Sequence, residues 1–181
     1  IEDDQQGDEE ALPDKLGILP IRNTVLFPGV VLPITVGREK SIKLIKKAYN
    51  GDRIIGVVAQ KNTETEEPGF KDIYQVGTVA RILKMLVLPD GNTTVIIQGK
   101  HRFALDKAIK ETPFLEASYK LLQDDENVPK KDIAVIIQSL KEAANKVLKL
   151  NPEIPREAQV ALENIENHTF LTHFLSSNVS A

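Results

Sequence analysis

The hydroxyl, amine and imidazole side chains of this sequence could support catalysis only if their spacing brought them together. A serine/lysine dyad needs an amine aimed at a hydroxyl, whereas Ser41 and Lys43 lie two positions apart near a predicted helix start and do not face each other. A phosphate-binding loop needs glycine, four residues and then Gly-Lys-Ser/Thr. Gly99 and Lys100 are instead followed by His101, and Thr94 stands where the first glycine belongs. The spacing therefore predicts no catalytic residues.

The histidines His168 and His173 are the candidates for metal ligands. Five positions on a helix separate two side chains by about 140°, unlike the i, i+4 spacing of paired ligands. Their neighbours Phe170 and Phe174 indicate packing instead. The acidic run at residues 124–126 lacks the alternating ligands and the glycine of a calcium loop. The sequence therefore predicts no metal site.

The composition is that of a globular protein, with 41% hydrophobic and 27% charged residues among 181. The absence of cysteine excludes a disulfide framework, a thiolate metal site and a cysteine nucleophile, and it fits a reducing cytoplasm. No apolar run approaches the roughly 18 residues that a membrane span needs. We therefore expect a cytoplasmic protein without a membrane segment.

A local cluster of cations is the only feature that suggests nucleic-acid binding. Its members are Arg38, Lys40, Lys43, Lys46 and Lys47. Aromatic side chains that would stack on bases are not interleaved with them, and tryptophan is absent. The cluster is more typical of the solvated face of an amphipathic helix, so nucleic acid is not an expected partner.

Shifts in composition predict the domain organisation. Residues 1–14 contain seven acids and no lysine or arginine, which predicts a disordered acidic leader over residues 1–15. The acidic stretch before Pro129 predicts a linker at 123–128. It would separate a β domain at 16–122 from a truncated α-helical subdomain at 129–181. Because the chain opens at Ile1, we expect a piece of a longer protein.

Short β-branched runs between proline, glycine and asparagine predict an α+β fold whose first part is a curled sheet. The predicted strands cover residues 17–21, 30–36, 54–60, 76–88, 93–98, 102–110 and 114–122. Between the second and third strands, Ile42, Ile45 and Tyr49 recur at helical spacing, with Gly51 as a left-handed C-cap. This helix is expected to cover one opening of the sheet. Residues 88–92 contain Asp-Gly and predict a hairpin.

The second part of the chain has helical periodicity. A first helix is predicted to run to Leu150, a second to begin near Pro155 with Val160 and Leu162 partly buried, and a third to carry Leu171, Phe174 and Leu175. The apolar stripe of the first helix consists of Ile133, Ile136, Ile137, Leu140, Ala144, Val147 and Leu148. Three short helices make a thin bundle, so they should pack on the β domain or on further sequence.

Two stretches carry more than a generic β pattern. The first is residues 19–28 continuing through Pro33 to 36–41, and the second is residues 77–80 continuing to 88–91. Together they resemble the amino-terminal, substrate-binding domain of bacterial Lon, the ATP-dependent serine protease. The resemblance covers residues 16–122, and the helical tail resembles that family only loosely.

The resemblance implies a small pseudo-barrel with one covering helix, followed by an α-helical subdomain. It implies a module that engages unfolded or tagged protein substrates and helps to organise a homohexamer, in a protease of protein quality control and stress response. ATP and Mg²⁺ belong to the full-length enzyme, and the family's Walker motifs and Ser/Lys dyad lie downstream of every residue matched, so no cofactor is expected here. The alternative is a free-standing adaptor without catalytic activity.

Gripping many unrelated unfolded chains calls for adaptable apolar contact, and two stretches could supply it. The first is the turn at residues 25–30, with candidates Leu26, Phe27, Pro28 and Val30; its alternative role is to plug the barrel end. The second precedes the hairpin, with candidates Met85, Leu86 and Leu88. The alternative there is a strand buried on both faces.

Overall fold

The computed structural model describes residues 11–124, 130–150, 160 and 162–178, with the backbone alone at 130–132. Residues 1–10 of the leader predicted at 1–15, and most of the predicted linker, lie outside these residues. The elements in chain order are β1 (Leu16–Ile21), β2 (Val31–Val36), α1 (Glu39–Tyr49), β3 (Ile54–Ala59), β4 (Val76–Val87), β5 (Thr93–Lys110), β6 (Leu115–Leu121), α2 (Lys130–Leu150) and α3 (His168–Ser177).

The six strands form one sheet in the order β2-β5-β4-β3-β1-β6, and a further pairing of β5 with β6 closes five of them into a ring. β1 and β3 pair in parallel, with Ile18 opposite Gly56, and every other pairing is antiparallel. On its other side Ile18 lies opposite Leu115 of β6. The predicted α+β pseudo-barrel is therefore confirmed.

Strand β3 explains how this small barrel builds two apolar cores. Side chains alternate across a strand, so Ile55 and Val57 join one buried cluster and Ile54 and Val58 join the other. Helix α1 covers the first cluster with Leu44, Ile45 and Ala48, whereas Phe103 lies fully buried in the second. A strand buried on both faces requires an uninterrupted apolar run, which the sequence of β3 provides.

The two strands predicted at 93–98 and 102–110 are a single strand of 18 residues, β5. Position 99 lies inside this strand. It requires glycine because a Cβ there would collide with the Phe27 carbonyl oxygen. The glycine permits a close approach of two backbone segments rather than ending the strand. The predicted break between strands 93–98 and 102–110 is thus wrong.

The end of α1 also differs from the prediction. Asn50 is the C-cap in the right-handed region, and the positive φ of 62° belongs to Arg53 instead of Gly51. The amides of Gly51 and Arg53 both donate to the Ala48 carbonyl oxygen. This two-step turn leads the chain directly into β3, so the predicted left-handed cap at Gly51 is wrong.

The helical part follows the predicted periodicity but buries little of its stripe. Helix α2 is present, yet Ile136 and Val147 are exposed and the other stripe members are at most half-buried. Val160 is exposed, whereas Leu162 and Leu171 are fully buried. No described helix is long and apolar enough to cross a membrane.

The chain ahead of β1 contacts the β domain. Leu12 packs on the cluster around Phe103, and the Tyr119 hydroxyl donates to the Pro13 carbonyl oxygen at 2.8 Å. These contacts place residues 12–13 with the barrel, although the composition assigned them to the leader.

Candidate protein-binding surfaces

The β1–β2 loop, residues 22–30, contains the first predicted contact stretch. Its Leu26 side chain is only 3% exposed and belongs to the core under α1. The Leu26 carbonyl accepts a hydrogen bond from the buried Thr78 hydroxyl at 2.7 Å. Leu26 therefore anchors the loop, and its prediction as a surface contact is wrong because the backbone turns this side chain inward.

Helix α3 covers the tip of the β1–β2 loop. The Phe27 ring stacks on the His173 imidazole, and Phe170 lies against Gly29. Phe27, Pro28 and Val30 are all half-buried. This arrangement covers much of the loop tip, while Val25 at the start of the stretch remains 48% exposed.

Burial holds the pKa of His173 below its ordinary value, and the nearby Arg102 guanidinium acts in the same direction. The Asp124 carboxylate and the Pro28 backbone oppose this shift. Arg102 and Asp124 form an ion pair beside the imidazole. His173 is thus a packing residue, as its aromatic neighbours predicted.

The second predicted stretch lies on the β4–β5 hairpin and is largely open. Leu86 is 45% exposed and Leu88 36%, whereas Met85 is half-buried against the core. The alternative of burial on both faces is therefore wrong for Leu86 and Leu88. Sequence reasoning missed two further exposed side chains, Leu83 at 43% and Val87 at 62%.

We call the surface formed by Leu83, Leu86, Val87 and Leu88 the hairpin patch. It exists because β4 is twice as long as β3, with 12 residues against 6. The pairing of β3 with β4 ends at Ile54 opposite Arg81, and from there β4 continues beside β5 alone. The relative lengths of the predicted strands were the signal for this overhang.

Four of the five cations in the basic cluster have partners within the described part of the chain. Arg38 donates to the Gln60 side-chain oxygen at 2.8 Å, Lys43 pairs with Glu39, and Lys40 lies 3.8 Å from Glu67. Lys47 lies over the Phe114 ring at 5.2 Å. These contacts give the cations structural roles on and beside α1.

The residues weighed for catalysis are not assembled into a centre. Ser41 is buried on the inner face of α1, while Lys43 is exposed and paired with Glu39. Within the described part of the chain, no group of three or more histidine, aspartate or glutamate side chains could hold a metal ion.

Comparison with known proteins places this geometry in context. A family model described as the ATP-dependent protease La (LON) substrate-binding domain matches residues 15–181. Lon protease of Cytophaga hutchinsonii is 59% identical over 181 residues, which cover 99% of this chain and 22% of that protein. Lon protease of Flavobacterium johnsoniae is 51% identical over 182 residues, with the same coverages. The chain thus spans 22% of the length of these relatives.

Two solved structures share the fold. The N-terminal domain of Mycobacterium avium complex Lon protease has a TM-score of 0.66 at 16% identity, covering 91% of this chain and 82% of that chain. The Lon N-terminal domain protein from Xanthomonas campestris has a TM-score of 0.53 at 16% identity, covering 89% of this chain and 96% of that chain.

Proposed function

The chain belongs to the family of Lon substrate-binding domains, and on that premise we propose that it holds unfolded segments of protein substrates for an ATP-dependent protease. The resemblance identified in the sequence is confirmed by the family match. The proposed role is one of binding and assembly, with no catalytic step in this chain. ATP and Mg²⁺ would act in other parts of the full-length enzyme.

The observation that carries this proposal is the hairpin patch. Four apolar side chains at the overhanging end of the hairpin are each at least 36% exposed, with Leu86 and Leu88 on one face of β4 and Val87 on the other. Apolar side chains left exposed on one short segment favour contact with another protein. Unfolded proteins expose apolar side chains that folded proteins bury, so such a patch discriminates between the two.

A single patch of this size supports only weak binding. We expect a dissociation constant in the micromolar range or weaker, about −8 kcal/mol or less favourable. Several copies in a hexamer would raise the effective concentration without new contacts. Weak individual binding also allows a substrate to be released as it is drawn onward.

A free-standing adaptor is the alternative with the same binding surface. The two functions differ in the length of the native gene product, since the relatives named Lon protease are several times longer than this chain. A native protein of similar length would support the protease module, and one ending near Ala181 the adaptor. In either case we propose a cytoplasmic location.

The proposal is tested by titrating a fluorescent, permanently unfolded protein with the 181-residue chain and with patch variants. Leu86→Ser and Val87→Ser should each weaken binding severalfold, because each removes apolar area that the ligand would cover. Val135→Ser is the matched control, since Val135 is 69% exposed on α2. All three variants should have the same melting temperature as the wild type. Equal affinity in the patch variants and the wild type would remove the hairpin patch from the proposal.

A further inference from the structure

The end of β4 offers an unpaired sheet edge in addition to apolar side chains. On the side facing β3, the last hydrogen bond runs from the Ile82 amide to the Arg53 carbonyl at 2.8 Å. Leu83 is then inserted as a β-bulge, and Lys84 resumes the pairing with Ile96 of β5. Residues 83–87 therefore have a strand neighbour on one side only among the described residues.

The hydrogen-bond pattern fixes which backbone groups face the vacant side. The Leu88 amide donates to the Asn92 carbonyl at 2.8 Å and thus faces β5. In an antiparallel pair, bonded and non-bonded positions alternate, so Leu86 and Lys84 also face β5. The N–H and C=O groups of Met85 and Val87 consequently point outward, and no described residue pairs with them.

The charges beside this edge restrict what fits there. Lys84 is exposed on β4, and the Arg53 guanidinium lies 4.6 Å from the Tyr49 ring centroid where β3 begins. Neither cation forms an ion pair within the described part of the chain. The edge thus combines apolar side chains with the Lys84 ammonium near its start and the nearby Arg53 guanidinium, which is complementary to an apolar segment carrying a carboxylate.

We propose that the edge of β4 at Leu83–Val87 binds an extended, apolar, acid-containing segment of a substrate as an additional strand. The segment would lie where β3 would continue if it matched β4 in length. The inference rests on the proposed function and specifies its mode, in which backbone hydrogen bonds give sequence-tolerant affinity and alternate side chains contact Leu86 and Val87. Such recognition suits unfolded chains, because every extended segment presents the same backbone groups.

The other free edge of the sheet is less suited to strand addition. β2 pairs with β5 alone, and its outward backbone positions include Pro33, which has no N–H to donate. Proline on an edge strand is a common device against further pairing. The edge of β2 therefore serves as a control for strand addition at the edge of β4.

The experiment uses the 181-residue chain and a fluorescein-labelled peptide of alternating valine and threonine with one terminal glutamate. Two further peptides carry N-methyl groups on alternate amides. One is methylated at the odd-numbered residues and the other at the even-numbered residues. Strand addition predicts that one of these two peptides binds about tenfold more weakly or worse than the unmodified peptide. In that peptide each methyl group removes a hydrogen-bond donor and keeps the peptide backbone away from β4. The other methylated peptide should bind nearly as well as the unmodified one, because its methyl groups face away from β4. Replacing the glutamate by lysine should weaken binding severalfold.

Paired variants locate the edge. Val87→Pro removes an outward N–H without breaking a bond to β5, and it should weaken the unmodified peptide about tenfold. Val31→Pro makes the same change at an outward position of β2 and should have no effect. The peptide series keeps the inference testable even if a proline variant is unstable, because it needs no variant protein.

Five results would overturn the inference. Equal binding of both methylated peptides would show contact through side chains alone, and loss of binding with Val31→Pro only would move the site to β2. Self-association of the chain that Val87→Pro abolishes, measured by sedimentation, would identify a second copy as the occupant. If the chain binds the unfolded protein but none of the peptides, strand addition fails while the proposed function stands. If it binds neither, the proposed function itself fails.

Discussion

The Phe27 ring lies on the His173 imidazole with ring centroids 5.8 Å apart and an interplanar angle of 27°. This contact joins the β1–β2 loop to helix α3 across almost the full length of the sequence. It makes α3 the cover of an apolar loop that would otherwise be exposed. The cover depends on an imidazole that is easier to bury when neutral.

The attachment of α3 should weaken in mild acid. Because the pKa of His173 is lower in the folded state, the unfolded chain binds the proton more readily. The contribution of neutral His173 is therefore complete above its unfolded pKa of about 6.5 and is lost as the pH falls toward the folded value. Urea unfolding between pH 7.5 and 5 should show this loss.

The control for this pH effect is His173→Phe, which preserves an aromatic contact but cannot be protonated. Its stability should fall less than that of the wild type over the same range. If the free energy of unfolding falls equally with pH in the two proteins, protonation of His173 does not weaken the docking of α3.

Substitutions at Gly29 and Gly91 distinguish the cost of backbone strain from the cost of steric crowding. Both have positive φ angles, +80° and +85°, but a Cβ on Gly29 would lie 2.7 Å from the Phe170 ring, whereas one on Gly91 meets nothing within 4 Å. Gly91→Ala should cost about 1–2 kcal/mol from the left-handed conformation alone. Gly29→Ala should cost more in chemical denaturation.

A double-mutant cycle with Phe170→Ala checks the origin of that excess. If Phe170 causes the crowding, the two substitutions should couple by roughly 0.5–3 kcal/mol. Strict additivity would assign the whole cost of Gly29→Ala to its backbone.

Leu26 and Phe27 should behave differently although they are adjacent. Leu26→Ala removes a core side chain and should lower the free energy of unfolding by about 2–5 kcal/mol. Phe27→Ser should cost less, because its ring is half-buried, and should chiefly raise hydrogen exchange in α3. An equal loss of stability from both substitutions would assign Phe27 to the core.

The purified 181-residue chain should neither hydrolyse ATP nor cleave peptides. The pattern around Gly99 is not a phosphate-binding loop, Ser41 is buried and Lys43 is paired with Glu39. Phosphate release and cleavage of a quenched fluorescent peptide measure the two activities. Turnover that persists through repeated purification and disappears in Ser41→Ala would contradict this prediction.

The sequence predicted the fold well where local periodicity determines it. Alternation and turn chemistry located the strands and the hairpin at Gly91, and the helical period identified α1 and α2. It failed at Gly99 and Gly51, since a glycine serves a turn, a cap or a close backbone approach alike. Only the position of the Phe27 carbonyl reveals which of these Gly99 provides.

The candidate surfaces were less predictable because they depend on long-range contacts. Composition identified both apolar stretches, but it could not show that α3 covers Phe27 or that Leu26 turns inward. The exposure of Val87 follows from β3 ending before β4 does, which is a property of pairing rather than of either strand. Local pattern thus indicates apolar segments, and tertiary structure decides which remain accessible.

The position of β1 between β3 and β6 has a consequence for synthesis on the ribosome. Ile18 lies opposite Gly56 on one side and Leu115 on the other, so its second neighbour emerges about a hundred residues after it. At roughly 5–20 residues per second, β1 waits on the order of 5–20 s with one edge open. A nascent chain stalled before Leu115 would present β1 as an apolar strand with one unpaired edge, which is the type of segment that protein quality control removes.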